Sequence, residues 1–235
     1  MAMNPADMPF IVSFSGIDGA GKTTQIESLR QNLEANGTKI NLIRFWDDVA
    51  TLKWLREASS HTLFKSEVGV GTPKHPVNRR DKNIQSWYMT PVRFFLYFLD
   101  SLRLNLIVRK TRRTSAHVVI FDRYIYDELA NLNLAGSSWQ KLFATCALRW
   151  TSKPDVAFLV DADPVQARAR KPEYPLEFLL RNREAYLELS RMAPVIRVIK
   201  AHTVAEASSE IFGISLQALG LSRPRVQPVT MTDAA

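Results

Sequence analysis

Residues 16–23 read Gly16-Ile17-Asp18-Gly19-Ala20-Gly21-Lys22-Thr23 and satisfy every fixed position of the phosphate-binding pattern G-x-x-x-x-G-K-[ST]. Each residue type has a task in that chemistry. Glycines let the backbone turn tightly and lie close to a ligand. Successive backbone N–H groups then form an anion nest, completed by the positive end of the helix that follows. Lys22 can reach the β- and γ-phosphates of a nucleotide, and the Thr23 hydroxyl can bind Mg²⁺. The expected phosphate cradle is therefore Gly16, Ile17, Asp18, Gly19, Ala20, Gly21, Lys22, Thr23 and Thr24.

Two further segments end apolar runs in charge. Val118-Val119-Ile120-Phe121 leads into Asp122-Arg123-Tyr124. In an open parallel sheet, ligands bind beyond the carboxyl ends of the strands. Asp122 is thus a candidate to hold Mg²⁺, directly or through water, and Arg123 to contact a transferring phosphoryl group. The plainer reading is a strand-end ion pair. Leu159-Val160 leads into Asp161-Ala162-Asp163-Pro164, and a short helix then closes on Arg168 and Arg170. That helix reads either as a salt-bridged surface element or as a lid, about 163–175, whose arginines close over phosphates.

The elements that must position these residues alternate. Strand candidates are 10–14, 39–45, 117–121, 155–160 and 195–199. Helical stretches lie between them, which predicts an α/β fold with a five-stranded parallel sheet covered on both faces. The pattern gives one domain over 10–220, with tails at 1–9 and 221–235 and an irregular segment at 61–89. The helix after Thr90-Pro91 is apolar on nearly all sides, so it must be deeply buried or form a subunit interface. The helix from Ser138 spaces Trp139, Leu142, Phe143, Cys146, Ala147 and Trp150 along one side, which reads Cys146 as a core residue.

Bulk properties narrow the partners. The 235 residues are 46% hydrophobic, enough for one sizeable core, and carry a formal net charge of +8. Basic residues recur at the motifs (Lys22, Arg79, Arg80, Arg123, Arg168, Arg170), which favours a phosphate-rich small molecule. An aromatic-studded basic platform for single-stranded nucleic acid is not evident. A single cysteine suits the cytoplasm. Residues 1–9 lack a signal-peptide pattern, and no apolar run approaches the roughly 20 residues that span a bilayer.

Together these motifs resemble the thymidylate kinase family of nucleoside monophosphate kinases. Phe14-Ser15-Gly16-Ile17-Asp18-Gly19-Ala20-Gly21-Lys22-Thr23-Thr24-Gln25 is similar to its phosphate loop, and Phe121-Asp122-Arg123-Tyr124 to its Asp-Arg-Tyr motif. Asp161-Ala162-Asp163-Pro164 with Arg168 and Arg170, then Asn182-Arg183-Glu184-Ala185-Tyr186, looks like its lid and following helix. The resemblance implies a P-loop NTPase fold, ATP and Mg²⁺ as cofactors, thymidine monophosphate as acceptor, and a homodimer. It implies catalytic roles for Lys22, Asp18, Arg123, Arg168 and Arg170. The lid supplies the arginine because Gly19-Ala20 stands where some members carry one in the loop. Acceptor contacts fall to Arg44, Asp47 and Arg123, to Tyr97 or Phe98 as the stacking aromatic, and to Arg103 or Arg93 at the acceptor phosphate. The family's Arg-Glu-Pro-Gly-Gly after its second strand is replaced here by Arg44-Phe45-Trp46-Asp47-Asp48. A similar kinase with polyphosphate or another nucleotide as acceptor, and a non-catalytic nucleotide-binding regulator, are the alternatives.

Overall fold

Six consecutive residues, Phe10–Ser15 (β1), are all buried, as a strand must be when helices cover both faces of its sheet. The computed structural model describes residues 8–51, 89–200 and 203–220. Around β1 stand Ile40–Arg44 (β2), Val118–Asp122 (β3), Val156–Val160 (β4) and Ile196–Ile199 (β5), in the order β2-β3-β1-β4-β5. Every pairing is parallel. The three central strands are buried along almost their whole length; edge strands β2 and β5 mix buried and exposed residues. The expected α/β fold with a five-stranded parallel sheet is the fold observed.

Register sets the working edge. Phe14 and Arg44 both pair with Asp122, so β2 and β3 end on one rung and β1 one residue beyond it. The loops that follow these strands emerge together there.

The helices are Lys22–Ala35 (α1), Met89–Thr111 (α2), Ile125–Leu129 (α3), Ser138–Trp150 (α4), Pro164–Arg170 (α5), Leu176–Met192 (α6) and Val204–Ala218 (α7). Phe45–Val49 forms a π-helical turn directly after β2. It and the short α3 are absent from the sequence reading, because neither is long enough to show a period. Residues 1–7 of the expected tail 1–9, the expected tail 221–235, and residues 61–88 of the irregular segment 61–89, with Arg79 and Arg80, lie outside the described residues.

One expectation fails. Cys146 is exposed. The buried side of α4 carries Ala144 and Leu148, while Trp139, Leu142 and Trp150 face outward with Cys146. The helix has an apolar stripe, but it turns the side bearing Ala144 and Leu148 to the core. α2 behaves similarly. Tyr97, Leu104 and Val108 are buried, whereas Phe95, Phe98, Leu102 and Leu106 are exposed. Phe94 stacks on Phe143, and Phe98 meets Trp150 edge to face, so the outward sides of α2 and α4 form one apolar surface. No helix among the described residues is long and apolar enough to cross a membrane.

Candidate active site

The phosphate loop leaves β1 at the centre of the sheet and is held by close backbone approach. A Cβ on Gly16 would lie 2.5 Å from the carbonyl oxygen of Val160, and one on Gly19 2.2 Å from that of Ala167. Both glycines also have positive φ, +143° and +85°. Only glycine meets both conditions without strain. The second contact seats α5, the helix expected to act as a lid, directly on the loop.

The loop ends in α1, whose first turn contains no acidic residue. Its positive end is therefore left to an external anion. Thr23 and Thr24 are exposed at that end. Lys22 is buried, and its Nζ donates to the carbonyl oxygens of Gly16 (2.7 Å) and Ile17 (2.9 Å). Burial lowers its ammonium pKa to about 8; the Arg123 cation adds to the lowering, and Asp18, Asp127 and Asp122 oppose it.

Asp122 and Arg123 come from the end of β3. The Arg123 backbone N–H donates to the Phe14 carbonyl (3.0 Å), continuing the ladder beyond the strand. Its φ is +71°, rare for a residue with a side chain. The guanidinium forms an ion pair with Asp18 of the phosphate loop through Nη2, and a second with Asp127 through Nη1 at 2.9 Å. Burial weakens the guanidinium's hold on its proton, but the two carboxylates outweigh it, so its pKa moves upward. Lys22, Asp18, Asp122 and Arg123 thus share one charged cluster beneath the loop. The strand-end ion pair exists, and it runs to the phosphate loop.

At the lid, Asp163 caps α5 by accepting from the Gln166 N–H (2.9 Å), and Pro164 stands in its first turn. Arg183 of α6 grips Asp161 through two nitrogens, at 2.6 and 2.8 Å. Arg168 is half-buried, and its Nε donates to the Tyr174 carbonyl (3.2 Å). Arg170 is exposed, and its Nε donates to the Gln166 carbonyl one turn back (3.3 Å). The two lid arginines therefore stand in different surroundings.

The acceptor candidates separate by helical face. Arg93, Tyr97, Asp100 and Leu104 recur at helical spacing on one side of α2. That side is tied to the chain leaving the π-helical turn: Asp100 accepts from the Thr51 N–H and hydroxyl, both at 2.7 Å. Tyr97 and Arg93 thus stand with the segment that carries Asp47. Phe98 points to Trp150 of α4, and Arg103 is exposed on another side. Arg44 is exposed at the end of β2; its N–H donates to Asp48 (2.8 Å).

Sequence reasoning missed Asp127. It is 2% exposed and accepts from Ser15, Arg123, Tyr124 and Tyr186. Its spacing of four from Arg123 was the available signal.

The five-stranded parallel sheet and the glycine loop leaving β1 fit an α/β P-loop NTPase fold. No family model matches the chain. The thymidylate kinase of Bifidobacterium longum strain DJO10A is 28% identical over 207 residues, 83% of this chain and 91% of the relative. The probable thymidylate kinase of Thermococcus gammatolerans is 27% identical over 216 residues, 88% and 96% of the two chains. The crystal structure of thymidylate kinase from Ehrlichia chaffeensis superposes with a TM-score of 0.54 at 21% identity, covering 88% of this chain and 99% of that one. That of the Candida albicans enzyme gives 0.61 at 16%, covering 90% and 94%. These relatives and structures are thymidylate kinases, and the chain is similar to them along most of its length.

Proposed function

We infer that the protein transfers a phosphoryl group from ATP to a nucleoside monophosphate, converting dTMP to dTDP. The observation that carries this reading is the joined charge cluster. Asp18 of the phosphate loop is paired to Arg123 of the Asp-Arg-Tyr segment, within a chain whose relatives are thymidylate kinases along most of their length. The alternatives, a polyphosphate kinase or a regulator, have no support among these relatives.

The loop N–H groups and Lys22 hold the donor phosphates. Arg123 neutralises charge between donor and acceptor, and Arg168 approaches from the lid. Little covalent chemistry is asked of such residues; positioning and electrostatics supply the rate. Thr23 and Asp122 offer oxygen donors only, the ligand type Mg²⁺ prefers. No cluster of three or more His, Cys, Asp or Glu side chains suited to a metal exists among the described residues. Thr23 and Asp122 would hold Mg²⁺ together with substrate phosphates, the way this ion characteristically binds. When bound, it draws charge off those phosphates.

For the acceptor, Tyr97 is the stacking aromatic and Arg93 the phosphate contact, with Arg44 and Asp47 at the edge of the same region. The exposed apolar surface of α2 and α4 is the face through which two copies associate. Initial rates with ATP and a panel of nucleoside monophosphates, polyphosphate and buffer alone test the reading. dTMP should be the preferred acceptor. If dTMP is no better than water while another acceptor is phosphorylated, the thymidylate assignment falls and the kinase assignment stands.

A further inference from the structure

Asp127 is buried beside the phosphate loop and accepts four hydrogen bonds. Its Oδ1 accepts from Arg123 Nη1 (2.9 Å) and the Tyr186 hydroxyl (2.9 Å). Its Oδ2 accepts from the Ser15 hydroxyl (2.6 Å) and the Tyr124 backbone N–H (3.1 Å). One of these bonds has a local explanation. An acid in the third position of a helix commonly accepts from the N–H preceding that helix. Such a capping acid needs only that bond and ordinarily sits in water. Asp127 is buried, and its other donors come from the last residue of β1, the turn after β3, and α6.

Arg123 needs such support. A left-handed backbone at a residue with a Cβ persists only where its surroundings over-determine it. The main chain is fixed by Phe14, and one guanidinium nitrogen by Asp18. Asp127 takes the other nitrogen. Tyr186 stays a donor to it, because burial, then the Asp127 charge, pushes the phenol pKa well above its usual value.

We propose that Asp127 is a positioning residue that clamps Arg123 from its second guanidinium nitrogen and ties that clamp, through Tyr186, to the helix following the lid. The kinetic part of this inference rests on the phosphoryl-transfer reading. The clamp itself does not.

Two measurements test it. In the substrate-free protein, ¹⁵N NMR of the Arg123 guanidinium should show restrained rotation that Asp127→Asn releases. In turnover, Asp127→Asn should lose on the order of 10²-fold with a small change in the KM for ATP, because a misplaced contact costs about that much. Tyr186→Phe should lose roughly tenfold, the low end for one hydrogen bond to a charged group. The double variant Asp127→Asn/Arg123→Ala should be no slower than Arg123→Ala alone, since residues acting through one another are non-additive. Melting curves check each variant. If Asp127→Asn does not fold, Tyr186→Phe replaces it in both measurements, with release of the guanidinium and non-additivity again expected. Unchanged guanidinium rotation, or losses that multiply with Arg123→Ala, overturns the proposal. If the parent phosphorylates no acceptor, the functional reading fails, and the NMR result still decides the clamp.

Discussion

Lys22 bends back onto its own loop, with Nζ 2.7 Å from the carbonyl oxygen of Gly16 and 2.9 Å from that of Ile17. Its pKa of about 8 reflects burial first and the Arg123 cation second. A bound phosphate adds negative charge and raises that pKa again. Below pH 8 the free protein already carries the proton, so affinity for ATP is at its full value there. Above it, binding must take up a proton, and affinity falls as pH rises. Calorimetry in buffers of different ionisation heat should show uptake approaching about one proton per ATP near pH 9 and almost none near pH 7. Lys22→Met should remove the uptake. A parent with flat affinity across this range would sink the assignment of Lys22 to the phosphates.

Gly19 and the Ala167 carbonyl leave no room for a side chain. Gly19→Ala should therefore unseat α5 or distort the loop. We expect a stability loss of roughly 1–3 kcal/mol, from overpacking against backbone and from a strained φ. Turnover should fall on the order of 10²-fold, since the loop positions the reacting phosphates. Thermal melts and initial rates check both. Parent-like values for each would mean that α5 yields freely.

Much of this was legible beforehand because it is local. The apolar runs at 10–14 and 117–121, and the glycines before Lys22, declare strand and loop within a few residues. Asp127 was not legible. Its partners Ser15 and Tyr186 lie 112 and 59 residues away, and no local pattern announces that they meet. Cys146 was misread for a related reason. Periodicity shows that α4 has an apolar side, but the side facing the core is set by Ala144 and Leu148. Likewise, residues 97 and 98 are both aromatic, and only the rotation of α2 separates them.

Arg168 and Arg170 should part sharply on substitution. Arg168 is half-buried beside the carbonyl that meets Gly19, and it is steered by Tyr174, whereas Arg170 is in solvent. Arg168→Ala should cost on the order of 10³-fold or more in kcat, the scale of a transition-state arginine. Its effect on ATP affinity should be small, because the contact tightens at the transition state. Arg170→Ala should be nearly silent. Rapid-quench measurement of single turnovers separates chemistry from product release. Equal losses in the two variants would refute the lid assignment.

The α2–α4 surface predicts the assembly. Phe95, Leu106 and Trp139 are each more than half exposed in the single chain. A contiguous apolar face of this kind marks an interface. Sedimentation should give a dimer for the parent and a monomer for Leu106→Glu, with the monomer still folded by circular dichroism. A parent that sediments as a monomer at tens of micromolar would remove this role for the surface.

The acceptor region gives the most discriminating test, because the sequence offered two aromatics and two arginines and the structure ranks them. Tyr97 and Arg93 share the side of α2 that Asp100 binds to Thr51, next to the turn bearing Asp47. Phe98 is committed to Trp150, and Arg103 stands on another side. Tyr97→Leu should raise the KM for dTMP while leaving that for ATP within about twofold, since one stacked ring contributes roughly 0.5–1.5 kcal/mol beyond its area. Arg93→Ala should act in the same direction and more strongly, as expected for a lost charge-assisted contact to phosphate. Arg103→Ala should alter neither constant appreciably. Steady-state rates with each substrate varied at saturating partner decide the matter. If Arg103→Ala raises the KM for dTMP and Arg93→Ala does not, the acceptor phosphate lies on the other side of α2, and the ranking of the aromatics reverses with it.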